Sequence, residues 1–331
     1  MERFALAAAV VLGFALTAAL CSLFVPLQRV LERREQQQQP VQPEQPRPAP
    51  LRAPLWGGLC AAAGTVAAVG VGWLAACVGQ PELLGSEGRL MTRLLTALAG
   101  SLAFGAVGLA EDLARMRSPA ALGLRRDVRL LLEALAAAFV LLLLRAAGCL
   151  PRGLDVPGAG YVLLGSAVPF LWAVLMVALA ECARIAERDE GAVCGAAFVA
   201  MLALMMVEAG LGVSGLAVLP GALAGALVAL GLWAFPPARL GVGCCGSLLA
   251  AGAVGCIPLS LDMTSLTVPL ALPFWVAGGL LAAQLLCAKR TDKPLRCWVK
   301  KHKMSPETVF LCSFALSAVG YVLALALLRW C

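Results

Sequence analysis

Histidine, tyrosine and charge are scarce in this sequence of 331 residues. It contains one histidine, two tyrosines and 14% charged residues, whereas about 25% is usual in soluble domains. The lone His302 has no cysteine or histidine partner at ligand spacing, and none of the 13 cysteines forms a Cys-x-x-Cys pair. The usual zinc and haem motifs are therefore excluded. No Walker-type pattern is present, which argues against an ATP-driven motor.

The sequence is rich in long apolar runs instead of charged residues. Apolar residues make up 61% of the chain, and the mean hydropathy is +0.89. A bilayer core of about 30 Å needs ~20 apolar residues per helix, and the runs are continuous, as in helices. We therefore predict an all-α, polytopic membrane protein with one integral membrane domain over residues 1–331. About ten transmembrane helices are expected, at 4–27 (a retained span, not a signal peptide), 55–79, 91–110, 130–150, 159–180, 192–210, 214–234, 242–261, 265–288 and 308–329.

The basic residues predict the orientation of these spans. Twenty of the 26 lysines and arginines fall in loops on one side, which the positive-inside rule makes cytoplasmic. Both termini then lie outside a cell inner (plasma) membrane. Two cytoplasmic loops stand out: a flexible Gln/Pro-rich loop at 31–54 and a basic loop at 289–307. The net charge of +7 fits contact with anionic lipid headgroups better than binding of nucleic acid.

Acidic residues collect at two cytoplasmic span ends. Glu111 and Asp112 close the third run, and Glu181, Arg184 and Glu187 follow the fifth, at spacings that share a helix face. Such clusters can hold a metal ion and a phosphorylated substrate. They can equally pair their own charges at the soluble ends of short loops. The residues alone leave both interpretations open.

Five segments resemble, in order, the motifs of phospho-N-acetylmuramoyl-pentapeptide transferases and related polyprenyl-phosphate N-acetylhexosamine-1-phosphate transferases, of glycosyltransferase family 4 type. The family motifs are Pro-x-x-Gly-Gly, Gly-Phe-x-Asp-Asp-x-x-Lys, Gly-Leu-x-x-x-x-Lys, Asn-x-x-Asn-Leu-x-Asp-Gly-x-Asp-Gly and Phe-Asn-x-x-Pro-Ala-x-x-Phe-Met-Gly-Asp-x-Gly-Ser-Leu. They are matched by Pro54–Gly58, Gly108–Arg115, Gly123–Arg129, Glu181–Gly191 and Trp233–Leu248. The resemblance implies a ten-span fold with both ends outside. It also implies Mg²⁺-dependent transfer of a phospho-sugar from a UDP donor to undecaprenyl phosphate.

The resemblance further implies a site in a cleft that faces the cytoplasm. The catalytic carboxylates would be Asp112 and Glu111, with Asp112 a metal ligand if Mg²⁺ is retained. The substrate cleft would include Gly57, Gly58, Arg115, Arg129, Glu181, Arg184, Glu187, Glu190, Gly243 and Cys244. The expected partners are membrane lipid, the polyprenyl phosphate carrier, a UDP-linked MurNAc-pentapeptide or other UDP-aminosugar, and a second copy in a homodimer.

The chain departs from the family at the positions that carry the chemistry. Glu111 and Cys244 stand where the family has aspartates, and Arg184 stands where it has an asparagine. Mg²⁺ prefers hard oxygen ligands, so a thiol and a guanidinium predict weak or absent Mg²⁺ binding. Three hypotheses remain: an active transferase, a non-catalytic paralogue that binds the lipid carrier or a cell-wall enzyme, and a small-solute transporter that uses the proline-broken spans.

Overall fold

The computed structural model describes residues 2–38, 56–79, 88–117, 123–151, 153–156, 160–163, 165, 167–187, 192–213, 215–235, 239–286 and 306–330. These residues form eleven α-helices: α1 Glu2–Gln38, α2 Gly57–Gly79, α3 Gly88–Arg117, α4 Arg126–Ala146, α5 Ala167–Ala186, α6 Ala192–Gly210, α7 Val218–Ala234, α8 Gly243–Ser260, α9 Thr267–Leu270, α10 Leu272–Leu286 and α11 Pro306–Trp330. Seven of them (α1, α2, α3, α5, α6, α8 and α11) are long and apolar enough to cross a membrane. The prediction of an all-α, multi-pass membrane protein is confirmed, while the count of ten spans stays a prediction.

Helix α8 is the centre of the bundle. All 18 of its residues are buried, and it packs against α2, α3, α5 and α6. Lipid is as apolar as a leucine side chain, so close backbone packing of small residues, rather than a hydrophobic drive, holds such helices together. Gly252 and Gly255 of α8 fit this rule, because they lie against Phe104 of α3 and Met176 of α5.

Helices α1 and α11 lie at the edge of the bundle. Only 28% of the α1 span and 22% of the α11 span are buried inside the protein. Their outward side chains, such as Phe4, Leu23, Leu311 and Val322, are large and apolar. Lipid contact accounts for such surfaces, which a soluble protein rarely exposes at this extent.

A short β-hairpin between α4 and α5 was not predicted. Strands β1 (Gly153–Val156) and β2 (Gly160–Leu163) pair antiparallel, with Gly153 opposite Leu163. The expected fifth span at 159–180 is therefore wrong at its start, since its first residues belong to β2. Helix α5 begins at Ala167, with Pro169 in its first turn, where proline is tolerated. A count of apolar residues cannot separate a four-residue strand from the helix that follows it.

Two other boundaries differ from the prediction or refine it. Helix α1 continues to Gln38, so the start of the loop predicted at 31–54 is helical, because residues 31–38 are good helix formers without proline. One of the proline-broken spans is seen as a break between α9 and α10 at Ala271, which lies between Pro269 and Pro273. The remainder of the Gln/Pro-rich loop lies outside the described residues. So does the basic loop at 289–307, apart from the start of α11.

Candidate functional site at one end of the bundle

The carboxylate of Asp112 lies at the amino terminus of α8. Its Oδ1 accepts a hydrogen bond from the backbone N–H of Cys244 at 3.0 Å, and its Oδ2 accepts one from Cys245 at 2.9 Å. The first N–H groups of any helix lack partners within the helix, and the helix dipole favours a negative charge there. Asp112 is 1% exposed. Asp112, which belongs to α3, therefore caps the amino terminus of α8.

Glycines permit this arrangement by bringing three backbones close together. A Cβ on Gly108 of α3 would clash with the carbonyl of Cys244, and a Cβ on Gly58 of α2 would clash with the backbone N of Gly246. Gly243 opens α8 with a φ of 71°, a conformation that glycine adopts without strain. Gly58, Gly108 and Gly243, from three of the family-like segments, therefore lie close together at the amino terminus of α8.

Glu111 pairs with arginines of α3 and α4. Its Oε1 accepts a hydrogen bond from an Arg115 guanidinium nitrogen at 2.6 Å, and a guanidinium nitrogen of Arg129 lies 3.7 Å from the same oxygen. The side chain of Glu111 is 2% exposed, and its Oε2 has no hydrogen-bond partner among the described residues. The carboxylate to which the resemblance assigns a catalytic role is therefore held by internal ion pairs.

Glu181 joins α4 to α5. Its Oε1 accepts a hydrogen bond from Arg129 Nε at 2.7 Å, and its Oε2 accepts one from Arg184 at 2.6 Å. Glu181 and Arg184 were expected in a loop after the fifth span, whereas both lie on the last turns of α5. The helical spacing that places them on one face is confirmed, because they form an i,i+3 ion pair.

Glu187 completes the cluster on the side of Cys244. Its Oε2 lies 3.9 Å from a guanidinium nitrogen of Arg115 and accepts a long, weak hydrogen bond from the Cys244 thiol at 3.8 Å. Arg115 also approaches Asp112 Oδ1 at 3.8 Å. Arg115 therefore faces three carboxylates, on Glu111, Asp112 and Glu187.

Sequence reasoning missed one member of the cluster, Glu133. It lies in α4 one turn after Arg129, it is wholly buried, and neither of its carboxylate oxygens has a hydrogen-bond partner among the described residues. The charged groups around it belong to Glu181, Arg129, Arg184 and Glu111. A sequence signal was available, because an acidic residue inside the apolar run at 130–150 is costly unless it faces other polar groups.

Nearly all predicted site residues gather at this end of the bundle. Gly57 belongs with them, because a Cβ there would lie 2.5 Å from the carbonyl oxygen of Gly241, just before α8. Glu190 lies outside the described residues. Five carboxylates and three guanidinium groups meet here: Glu111, Asp112, Glu133, Glu181 and Glu187 with Arg115, Arg129 and Arg184.

The sequence profile of glycosyl transferase family 4 matches residues 94–262, just over half of the chain. This stretch runs from α3 to the end of α8 and contains the whole cluster. The chain belongs to glycosyl transferase family 4. It is also 32% identical over 168 residues to the phospho-N-acetylmuramoyl-pentapeptide-transferase of Desulforudis audaxviator (strain MP104C). That alignment covers 48% of this family 4 chain and 50% of the relative, so the chain spans about half the length of the curated relative it matches.

Proposed function

We propose that this family 4 chain is a membrane protein of the phosphosugar-transferase type, with a site that binds polyprenyl phosphate. Its donor would be a UDP-linked MurNAc-pentapeptide or another UDP-aminosugar, in the synthesis of lipid intermediates for the cell wall, and its transfer activity is weakened. The observation that carries the proposal is the ion-pair cluster of Arg115, Arg129 and Arg184, built from three of the five family-like segments. Because the basic residues predict that this end faces the cytoplasm, the site would open towards UDP-sugars at an inner (plasma) membrane.

Charge explains why arginines suit such a reaction. Transfer from a UDP-sugar to a polyprenyl phosphate brings two polyanions together, and catalysis depends on neutralising and positioning their phosphates. Guanidinium groups bind phosphate oxygens through paired, charge-assisted hydrogen bonds. Here Arg129 belongs to α4 and Arg184 to α5, and they lie close enough to share Glu181. A phosphate between them would be held from two helices.

The same residues fit a resident Mg²⁺ poorly, and this supports weakened catalysis. Both oxygens of Asp112 accept backbone N–H groups, one oxygen of Glu111 is bound to Arg115, and the third family carboxylate is replaced by Cys244. Among the described residues, no group of three or more His, Cys, Asp or Glu side chains is arranged to hold a metal ion. Mg²⁺ requires nearly octahedral oxygen ligands.

A fully non-catalytic paralogue is the second candidate. The pairing of Asp112 with α8 favours it, because that carboxylate already has a structural role that would persist without catalysis. Such a paralogue would keep the affinity for the lipid carrier and would use it to bind a cell-wall enzyme or to hold the carrier.

One assay separates these possibilities. Purified protein is incubated with undecaprenyl phosphate and a panel of UDP-sugars, and the release of UMP is measured beside the Desulforudis audaxviator relative as a control. We expect release at least about 100-fold slower than from the relative, the size of effect seen when one charge-stabilising group is lost. Carrier binding with no UMP release from any donor would select the paralogue. Release as fast as from the relative would contradict weakened catalysis, and a failure to bind undecaprenyl phosphate would contradict both candidates.

A further inference from the structure

Glu181 is held between two arginines as a phosphate would be. One of its oxygens accepts from Arg129 Nε at 2.7 Å and the other from Arg184 at 2.6 Å. A phosphate monoester offers the same pattern of acceptor oxygens with up to two negative charges. The side chain of Glu181 is 23% exposed, more than its partners at 9% and 10%. The carboxylate therefore lies on the accessible side of the arginine pair.

The arginine pair also has donor capacity that Glu181 does not use. Nε of Arg184 is buried and has no hydrogen-bond partner among the described residues. A buried donor without a partner is costly in a protein interior, and a phosphate with three free oxygens could satisfy it. Glu181 has only two oxygens, and both are already engaged. Glu181 therefore leaves one donor of the arginine pair, Nε of Arg184, without an acceptor.

We propose that Glu181 is an internal anion that competes with a phosphate monoester for the Arg129–Arg184 pair. The inference rests on the proposed function, since it takes this end of the bundle to be the phosphate site. The competing side chain is tethered, so its effective concentration is high, in the millimolar range or above, and a ligand must displace it before it binds both arginines. Glu181 therefore lowers the affinity of the site for phosphate and acts as an autoinhibitory contact.

The test is phosphate binding by Glu181→Gln in lipid nanodiscs with EDTA present. Glutamine keeps the size of the side chain but removes its charge. We expect the Kd for a phosphate monoester to fall about 10-fold or more relative to the wild type, as for loss of a tethered competitor. Glu307→Gln, an exposed change in the first turn of α11, is the matched control and should leave the Kd unchanged. Arg184→Ala added to Glu181→Gln should abolish the gain.

Different probes identify the source of the phosphate. Undecaprenyl phosphate tests a lipid headgroup, UMP and inorganic phosphate test a free phosphate, and undecaprenol gives the background of the lipid chain. Tighter binding of UMP alone would support the competition and contradict the carrier-lipid function. Equal or weaker binding of every phosphate by Glu181→Gln would overturn the inference and leave the proposed function standing if the wild type binds undecaprenyl phosphate.

A second variant, Glu181→Asp, keeps the inference testable if Glu181→Gln does not fold. Glu181→Asp keeps the charge but withdraws it by one methylene, so it cannot reach both arginines as Glu181 does. The affinity of Glu181→Asp for a phosphate monoester should be higher than that of the wild type and lower than that of Glu181→Gln. If Glu181→Gln is unstable, the rise in its melting temperature on adding phosphate should exceed that of the wild type, since the ligand replaces the missing partner. Wild-type affinity in Glu181→Asp would contradict competition.

Discussion

Arg129 and Glu181, which are 52 residues apart in the sequence, are joined by a hydrogen bond of 2.7 Å between Nε and Oε1. The bond ties α4 to α5 at the end of the bundle where the family-like segments meet. Arg129 also approaches Glu111 of α3, so a single guanidinium links acidic residues from two other helices. The cluster is therefore part of the packing of these helices as well as a candidate binding site.

Arg184→Ala should destabilise the protein. It would leave Glu181 Oε2, now bound to Arg184 at 2.6 Å, without its charged partner, at a cost of about 1–3 kcal/mol. Thermal unfolding of the detergent-solubilised protein should show a lower melting temperature. Arg126→Ala removes an exposed arginine from the first turn of α4 and is the matched control. An equal melting temperature for both variants would mean that the ion pair contributes nothing to stability.

Asp112→Asn should also lower stability, whatever the catalytic state of the protein. An asparagine offers one acceptor oxygen where two backbone N–H groups now donate to a carboxylate, and it loses the favourable interaction with the helix dipole. We expect a loss of about 1–3 kcal/mol, again measured by thermal unfolding. Asp127→Asn changes an exposed aspartate of α4 and should have little effect. If Asp112→Asn keeps the wild-type melting temperature, its role as a cap for α8 is wrong.

Gly58→Ala and Gly70→Ala give a matched pair within α2. A methyl group at position 58 would overlap the backbone of Gly246, which has no flexible end to move aside, whereas a methyl group at position 70 meets no atom within 4 Å. Gly58→Ala should therefore give little folded protein in size-exclusion chromatography. Gly70→Ala should be as stable as the wild type or more stable, by about 0.5–1 kcal/mol from helix propensity. Equal behaviour of the two variants would contradict the close approach of α2 and α8.

The orientation in the membrane can be tested with single-cysteine variants. Cys297, in the basic loop, should be protected from an impermeant maleimide in intact cells, and Cys331 should be labelled. The reason is that 20 of 26 basic residues fall on the side of Cys297. Both cysteines lie outside the described residues, so this prediction rests on the sequence. Labelling of Cys297 before permeabilisation would reverse the orientation and place the site on the outer face.

The lengths of the apolar runs and the order of the family-like segments predicted much of the fold and of the site. Runs of about 20 residues located the long helices, and the family-like segments indicated which helix ends meet. The partners of a charge on another helix could not be predicted, since Arg129 pairs with Glu181 only through the packing of α4 against α5. Glu133 was missed because its immediate neighbours in the sequence are apolar and, apart from Arg129, the charged groups around it come from other helices. The β-hairpin was missed because β2 is as apolar as the helix that follows it and was counted as part of that span.

Our central proposal is that ion pairs between arginines and carboxylates occupy the site where the family resemblance implies a metal ion. Isothermal titration of Mg²⁺ into the nucleotide-free protein tests it most directly. The wild type should show no saturable binding at millimolar Mg²⁺. The double variant Cys244→Asp with Arg184→Asn, which restores a carboxylate and removes a guanidinium, should gain measurable affinity because it supplies hard oxygen ligands. Tight Mg²⁺ binding by the wild type that is abolished by Asp112→Asn would contradict the claim and favour an active, metal-dependent transferase.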